Sequence, residues 1–330
     1  MQFHWETTTR YESGLSYMSR DLGRRLAQLR RRTLIATVVA ALVPLAALAS
    51  ASPAMAEPKG IFKVFSDCPT STPGVTICSF AQTTGGEFSI GKTKVPINKT
   101  ITLQGGGIPT SEINEYFLVP AKDGNSLSKT ELNVPGGLLD FINCEEIKGE
   151  GFFEKIIRGT CKAIFENPSS TGVTVTTELV ANEHNPPLLN LANLFFASET
   201  ALVLPVRIHL KNPLLGEGCY VGSEAHPIQL RLTTGETSPP APNKPIKGSP
   251  GELEELEEKG GELTRLKNNS LVDNAFSVPV AEGCGGFFSG IIDPILDAKL
   301  GLESKAGNNT AILTGTLESA KASAVINSEK

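Results

Sequence analysis

The sequence predicts a mainly β chain: an antiparallel β-sandwich-like domain with a short helical insertion, stapled by disulfides. Three observations carry this. Leu202, Leu204, Val206, Ile208 and Leu210 alternate with Arg207, His209 and Lys211, and Ile228, Leu230 and Leu232 alternate with Gln229, Arg231 and Thr233. A period of two marks strands with one face buried and one wet. Glycine and proline are plentiful, 32 and 22 of 330 residues, and they fall between short apolar runs, where turns belong. The six cysteines, an even number, share one part of the chain.

From the amino end, the first element is an address. Arg24, Arg25, Arg30, Arg31 and Arg32 precede an apolar stretch from Thr33 to about Leu48, and Ala54 and Ala56 then supply small residues at −3 and −1. This is the layout of a secretory signal peptide spanning residues 1–56, cleaved before Glu57. A membrane-spanning helix is the competing reading, but Pro44 and the adjoining cleavage sequence oppose it. Residues 1–17 are polar and precede Met18, so they read as an over-extended start. Arg31-Arg32 resembles a twin-arginine signal only loosely. No cysteine stands at the cleavage point, and no apolar tail at the carboxyl end suggests a membrane anchor after cleavage. The whole chain carries a net charge of −5; residues 1–56 hold seven Arg and three acidic residues, which leaves 23 basic and 32 acidic residues, net −9, beyond them. Such a balance argues against a nucleic-acid partner.

In an exported chain, Cys68, Cys78, Cys144, Cys161, Cys219 and Cys284 suggest three bridges. Fifteen pairings exist; Cys68–Cys78, Cys144–Cys161 and Cys219–Cys284 are favoured, the first two because they close short loops. Each would stabilise by about 2–4 kcal/mol. No CxxC is present, and the Cys–His spacing matches no zinc module. No cofactor is expected.

Further strands are expected near 75–81, 88–90, 100–103, 116–119, 173–180, 271–278 and 310–326. Residues 136–166 break the pattern: Phe152, Phe153, Ile156 and Ile157 recur at helical spacing. One or two short helices are expected there, packed on the core at one end of the sheets. The alternative is a membrane-contacting lid, against which Glu145, Glu146, Glu150 and Glu154 weigh. Thr234–Gly251, with five prolines, is an extended connection. The acidic run 252–258 reads as a solvated loop or short helix. Residues 57–330 are expected to form a single extracellular domain.

Most apparent motifs are decoys. Gly86–Thr93 matches GxxxxGK[ST], but Pro96 and the β-branched residues after it spoil the helix a phosphate loop needs, so a hairpin with Gly91 in its turn is expected. His184, His209 and His226 are the histidines after residue 56; His209 and His226 read as surface residues. GxSxG and HExxH are absent, so a catalytic triad would have to assemble in space. Asp293 and Asp297 could flank a sugar but equally suit a solvated helix edge. Asp123-Gly124-Asn125 looks like a turn. The Asn-x-Ser/Thr sequons at Asn98, Asn268 and Asn308 carry no weight in a chain whose leader looks bacterial.

Four stretches, residues 95–106, Asn212-Pro213-Leu214-Leu215-Gly216, residues 232–243 and Gly307-Asn308-Asn309-Thr310-Ala311-Ile312-Leu313, resemble uncharacterised secreted actinobacterial β-rich proteins. The resemblance implies export and a stapled β-rich domain, and it carries no catalytic residue over.

The expected function is that of a secreted or cell-envelope-associated, non-enzymatic structural or adhesive binding protein, with an envelope component as partner. A carrier of an apolar or lipid ligand is the first alternative; Phe141, Phe152, Phe153, Ile156 and Phe195 would line its cavity. A secreted hydrolase with a spatially assembled site is the second.

Overall fold

The structure is a computed structural model that describes residues 57–137, 149–152, 154–156, 158–159, 172–258 and 260–330. Its strands are β1 (Ile77–Ile90), β2 (Thr93–Pro96), β3 (Ile101–Pro109), β4 (Glu115–Pro120), β5 (Leu132–Asn133), β6 (Thr174–Leu179), β7 (Leu188–Asn190), β8 (Leu202–Lys211), β9 (Tyr220–Val221), β10 (Ile228–Leu232), β11 (Glu252–Glu258), β12 (Gly261–Asp273), β13 (Ala281–Glu282) and β14 (Thr310–Lys321). The helices are α1 (Leu191–Phe196), α2 (Ser289–Leu300) and α3 (Ala322–Ser328), with 3-10 turns at Gly60–Phe65 and Gly286–Phe288.

The protein is mainly β, as its alternating runs predict. The main strand path is β11-β12-β14-β1-β3-β4-β7-β8-β6-β5, all antiparallel, and β10 and β9 add to β8. This one sheet turns back on itself. Register breaks fall between Thr83 and Gly85 in β1 and between Leu266 and Asn269 in β12, and both sit against Gly315 of β14. Bulges bend strands and raise their twist. A side chain at Gly315 would place its Cβ 1.8 Å from the Gln82 carbonyl oxygen, so only glycine lets the strands pass this closely. Thr233 and Val272 then exchange backbone hydrogen bonds of 3.0 and 2.8 Å, which join the end of β10 to β12. The two halves of the sheet face each other across one apolar core.

That core follows the period-two pattern. Leu202, Leu204, Val206 and Leu210 of β8 and Ile228, Leu230 and Leu232 of β10 point inward against Leu266, Leu271, Leu313 and Leu317. Among the described residues two voids of about 60 Å³ and 50 Å³ lie between the layers, the first lined almost wholly by aliphatic and aromatic side chains and the second also by Gln82, Thr83, Thr177, Asn269 and Thr316. A smaller cluster, Phe62, Phe65, Leu263, Ala324 and Val325, packs the first 3-10 turn against α3. Cys68–Cys78 pins that turn to β1, and Cys219–Cys284 ties β9 to the segment before α2. Both pairings agree with the sequence expectation; Cys144 and Cys161 lie outside the described residues, as do residues 1–56.

Four local expectations need correction. The acidic run 252–258 is strand β11, not a loop or helix, because β12 offers it cations: Glu254 takes Arg265 at 3.0 Å and Lys267 at 2.8 Å, and Arg265 also grips the buried Glu318. The last strand stops at Lys321, where the alanine-rich end becomes α3. The strand expected over 271–278 ends at Asp273, whose carboxylate accepts the Ala275 N–H at 2.8 Å and turns the chain. Within 136–166, described residues between 152 and 159 are helical, as expected, but Phe152 and Ile156 face solvent, 75% and 48% exposed. Phe141 and Phe153 lie outside the described residues. The phosphate-loop look-alike is the expected hairpin: Ile90 pairs with Thr93 around Gly91 at φ 53°.

Candidate functional site

The alternation that buries one face of β8 and β10 leaves part of the other face open at Val203 and Arg231, and a cleft of about 560 Å³ forms there. Its floor follows the strand register: Leu188 is opposite Val203, and Val203 opposite Arg231. Leu188, Val203 and Ala201 make the apolar part of the cleft. Glu115, Glu199, Glu236, Asp273 and Arg231 bring the charge.

The walls are held from within the chain. Asn190 caps α1 by accepting the Asn193 N–H at 3.0 Å. Asn193 in turn donates to the Thr200 carbonyl at 2.9 Å and accepts the Ser198 hydroxyl at 2.8 Å, which fixes the turn carrying Glu199. Opposite, the Thr233 hydroxyl donates to the Glu199 carbonyl at 2.8 Å and the fully buried Thr234 hydroxyl to the Leu194 carbonyl at 2.8 Å. Thr233 thus stands in one wall of the cleft, followed along the chain by Glu236, Thr237 and Ser238.

The charged groups differ in what they have left to offer. Asp273 is committed: its two oxygens accept the Arg231 and Ala275 backbone N–H groups at 2.6 and 2.8 Å. Burial pushes its carboxyl above the ordinary 3.8, against the pull of the Ala275 and Arg231 backbone donors and the Arg231 charge. Glu115 accepts the Thr110 hydroxyl at 2.9 Å. Arg231, Glu199 and Glu236 are exposed and make no side-chain hydrogen bond or ion pair among the described residues. A guanidinium fork and carboxylates beside an apolar floor can hydrogen-bond a hydroxyl-bearing ligand and cover its C–H face.

The residues singled out in the sequence lie elsewhere. Phe195 is half-buried against the core, and Phe152, Ile156 and Phe195 line neither the cleft nor the two core voids. None of His184, His209 or His226 reaches the cleft. His209 is not a surface histidine: it is 7% exposed, stacks on Tyr220 with ring centroids 4.4 Å apart, and sets Nδ1 3.7 Å from Glu178 Oε1. Arg207 covers the same Tyr220 ring at 4.4 Å and holds Glu178 at 2.9 Å and Glu224 at 3.5 Å, while His209 Nε2 is buried without a hydrogen-bond partner among the described residues. Asp293 and Asp297 lie half-buried on α2, where they accept the backbone N–H groups of Gly283 and Cys284, and of Ala281. Asp123 accepts the Asn125 N–H at 2.8 Å in the expected turn. Among the described residues no cluster of three or more His, Cys, Asp or Glu side chains could hold a metal ion, and no helix is long and apolar enough to cross a membrane.

The sequence carries one faint signal for the cleft, the placement of Arg231 on the wet face of β10. No protein-family model matches this chain, and neither does any curated protein or solved structure.

Proposed function

We propose that this protein is an exported, non-enzymatic binding module of the cell envelope that takes a hydroxyl-rich ligand, a glycan strand of the envelope, in the cleft over Leu188 and Val203. The observation that carries the reading is the pairing of an open cleft of about 560 Å³ with the uncommitted Arg231 guanidinium at its floor. Export rests on the leader pattern of residues 1–56 and on the likeness to secreted actinobacterial proteins; the Cys68–Cys78 and Cys219–Cys284 bridges are compatible with an oxidising compartment. The apolar-carrier reading finds less support, because voids of about 60 and 50 Å³ are far smaller than the ~300–1,000 Å³ of ordinary ligand sites.

The test is sedimentation of the protein with insoluble envelope polysaccharide, compared with Arg231→Ala. Loss of a central guanidinium anchor should weaken retention by about tenfold or more. Equal retention of the two proteins would sink the assignment, and native mass spectrometry showing a co-purified lipid would move it to the carrier reading.

A further inference from the structure

Helix α2 is apolar on two faces. Leu296 and Leu300 pack inward on the core. Outward, Ile291, Pro294 and Ala298 recur at the spacing that places residues in one line along a helix, and the 3-10 turn that leads into α2 adds Phe287 and Phe288. Phe287 is 97% exposed, Phe288 59% and Ile291 40%. Every exposed residue from 286 to 298 is uncharged. The two acidic residues of the helix are turned away from this face: Asp293 accepts the Gly283 and Cys284 N–H groups at 3.1 and 2.8 Å, and Asp297 accepts the Ala281 N–H at 2.7 Å. No side chain caps α2 at Phe288, and its first turn has no acidic residue.

The aromatic pair is held in place. The Cys219–Cys284 bridge anchors the chain just before it, and the rings meet edge to face with centroids 5.6 Å apart.

Size and charge select the occupant. Taking about 200 Å² for a whole phenylalanine, the exposed ridge of Phe287, Phe288 and Ile291 amounts to roughly 400 Å². That is the size of the largest apolar patch on a typical monomer, ~300–600 Å² and often functional, and only about half of the ~800 Å² per partner in a stable protein interface. A second copy packed there would be under-buried. A projecting apolar ridge with no charge of its own suits a medium that closes around it, the boundary between headgroups and acyl chains. The acidic surplus beyond residue 56, 32 acidic against 23 basic residues, disfavours anionic lipid.

We propose that the outer face of α2, led by Phe287 and Phe288, docks this protein onto a lipid bilayer with neutral headgroups. The proposal is independent of the cleft and of its ligand.

The test is co-sedimentation of the protein with phosphatidylcholine vesicles against the double variant Phe287→Ser/Phe288→Ser. Both proteins carry residues 1–56, so the difference between them isolates the ridge. Partition should fall about 10- to 100-fold in the variant and should not weaken as salt is raised. Arg231→Ala should partition like the parent, which separates this result from the cleft. In Phe287→Trp, an extra tryptophan emission should shift to the blue when vesicles are added. Failure of the parent to bind, or equal partition of parent and double variant, overturns the proposal. A dimer by sedimentation equilibrium that the double variant abolishes, without a vesicle difference, overturns it in favour of a second copy.

Discussion

Asn308 and Asn309 are neighbours of identical chemistry, and the fold treats them oppositely. Asn309 is 0% exposed. Its Oδ1 accepts the Gly91 N–H at 3.0 Å and the Ser304 hydroxyl at 2.7 Å. Its Nδ2 faces the carbonyls of Phe276, Ser304 and Lys305 at 2.9, 3.3 and 3.2 Å. One side chain therefore joins the β1–β2 turn, the loop after β12 and the loop before β14. Asn309→Ala would remove these bonds, leave the buried Ser304 hydroxyl without this partner and strip the half-buried Gly91 N–H of its acceptor. At about 1 kcal/mol net per bond, with a larger cost for each stranded buried group, the loss should reach about 3–5 kcal/mol. Asn308 is exposed and makes one long contact, 3.4 Å to the Lys305 carbonyl, so Asn308→Ala should cost less than about 0.5 kcal/mol. Urea unfolding followed by far-UV circular dichroism measures both. Equal midpoints for the two variants, or a loss below about 1 kcal/mol at Asn309, would refute the argument that this amide is the clamp.

Two further outcomes follow from the same geometry. Replacing both Cys219 and Cys284 with Ala should cost about 4 kcal/mol on the chain-entropy model, against about 3 kcal/mol for the Cys68/Cys78 pair, because the bridges span 65 and 10 residues; unfolding curves of the two double variants give the order, and the reverse order contradicts it. Burial raises the carboxyls of Asp273 and Asp297 above the ordinary 3.8, so the fold favours their protonated forms. Their contribution to stability is complete below pH 3.8 and declines as pH rises through the folded pKa. Carboxyl carbon NMR titration of Asp273 should therefore find a midpoint above 3.8, and a midpoint at or below that value contradicts the burial argument.

Features that depend on residues close together were legible. The turn at Gly91 needs only a left-handed residue between two β-branched runs, and the Cys68–Cys78 bridge spans 10 residues. The strand nature of β11 was not legible, because Glu254 tolerates a strand only when Arg265 and Lys267 stand beside it, and that depends on pairing with β12. His209 reads as a surface residue from the alternation of β8; Tyr220, from a different strand, covers it. The cleft gathers Glu115, Glu199, Arg231 with Glu236, and Asp273 from four separate parts of the chain. No spacing rule links residues that meet only because strands pair.

The amino-acid sequence by itself determined the mainly β class, the inward face of β8 and β10, and the short Cys68–Cys78 bridge, since period, turn chemistry and loop closure are properties of short stretches or of residue type. Only the tertiary structure decided which wet faces stay open. Register places Arg231 beside Val203 and Leu188, and packing chooses which side of the two-faced helix α2 meets the core and which side leaves Phe287 in solvent. Burial is a relation between distant segments, and hydrophobicity alone names the residues that seek it without naming those that fail to find it.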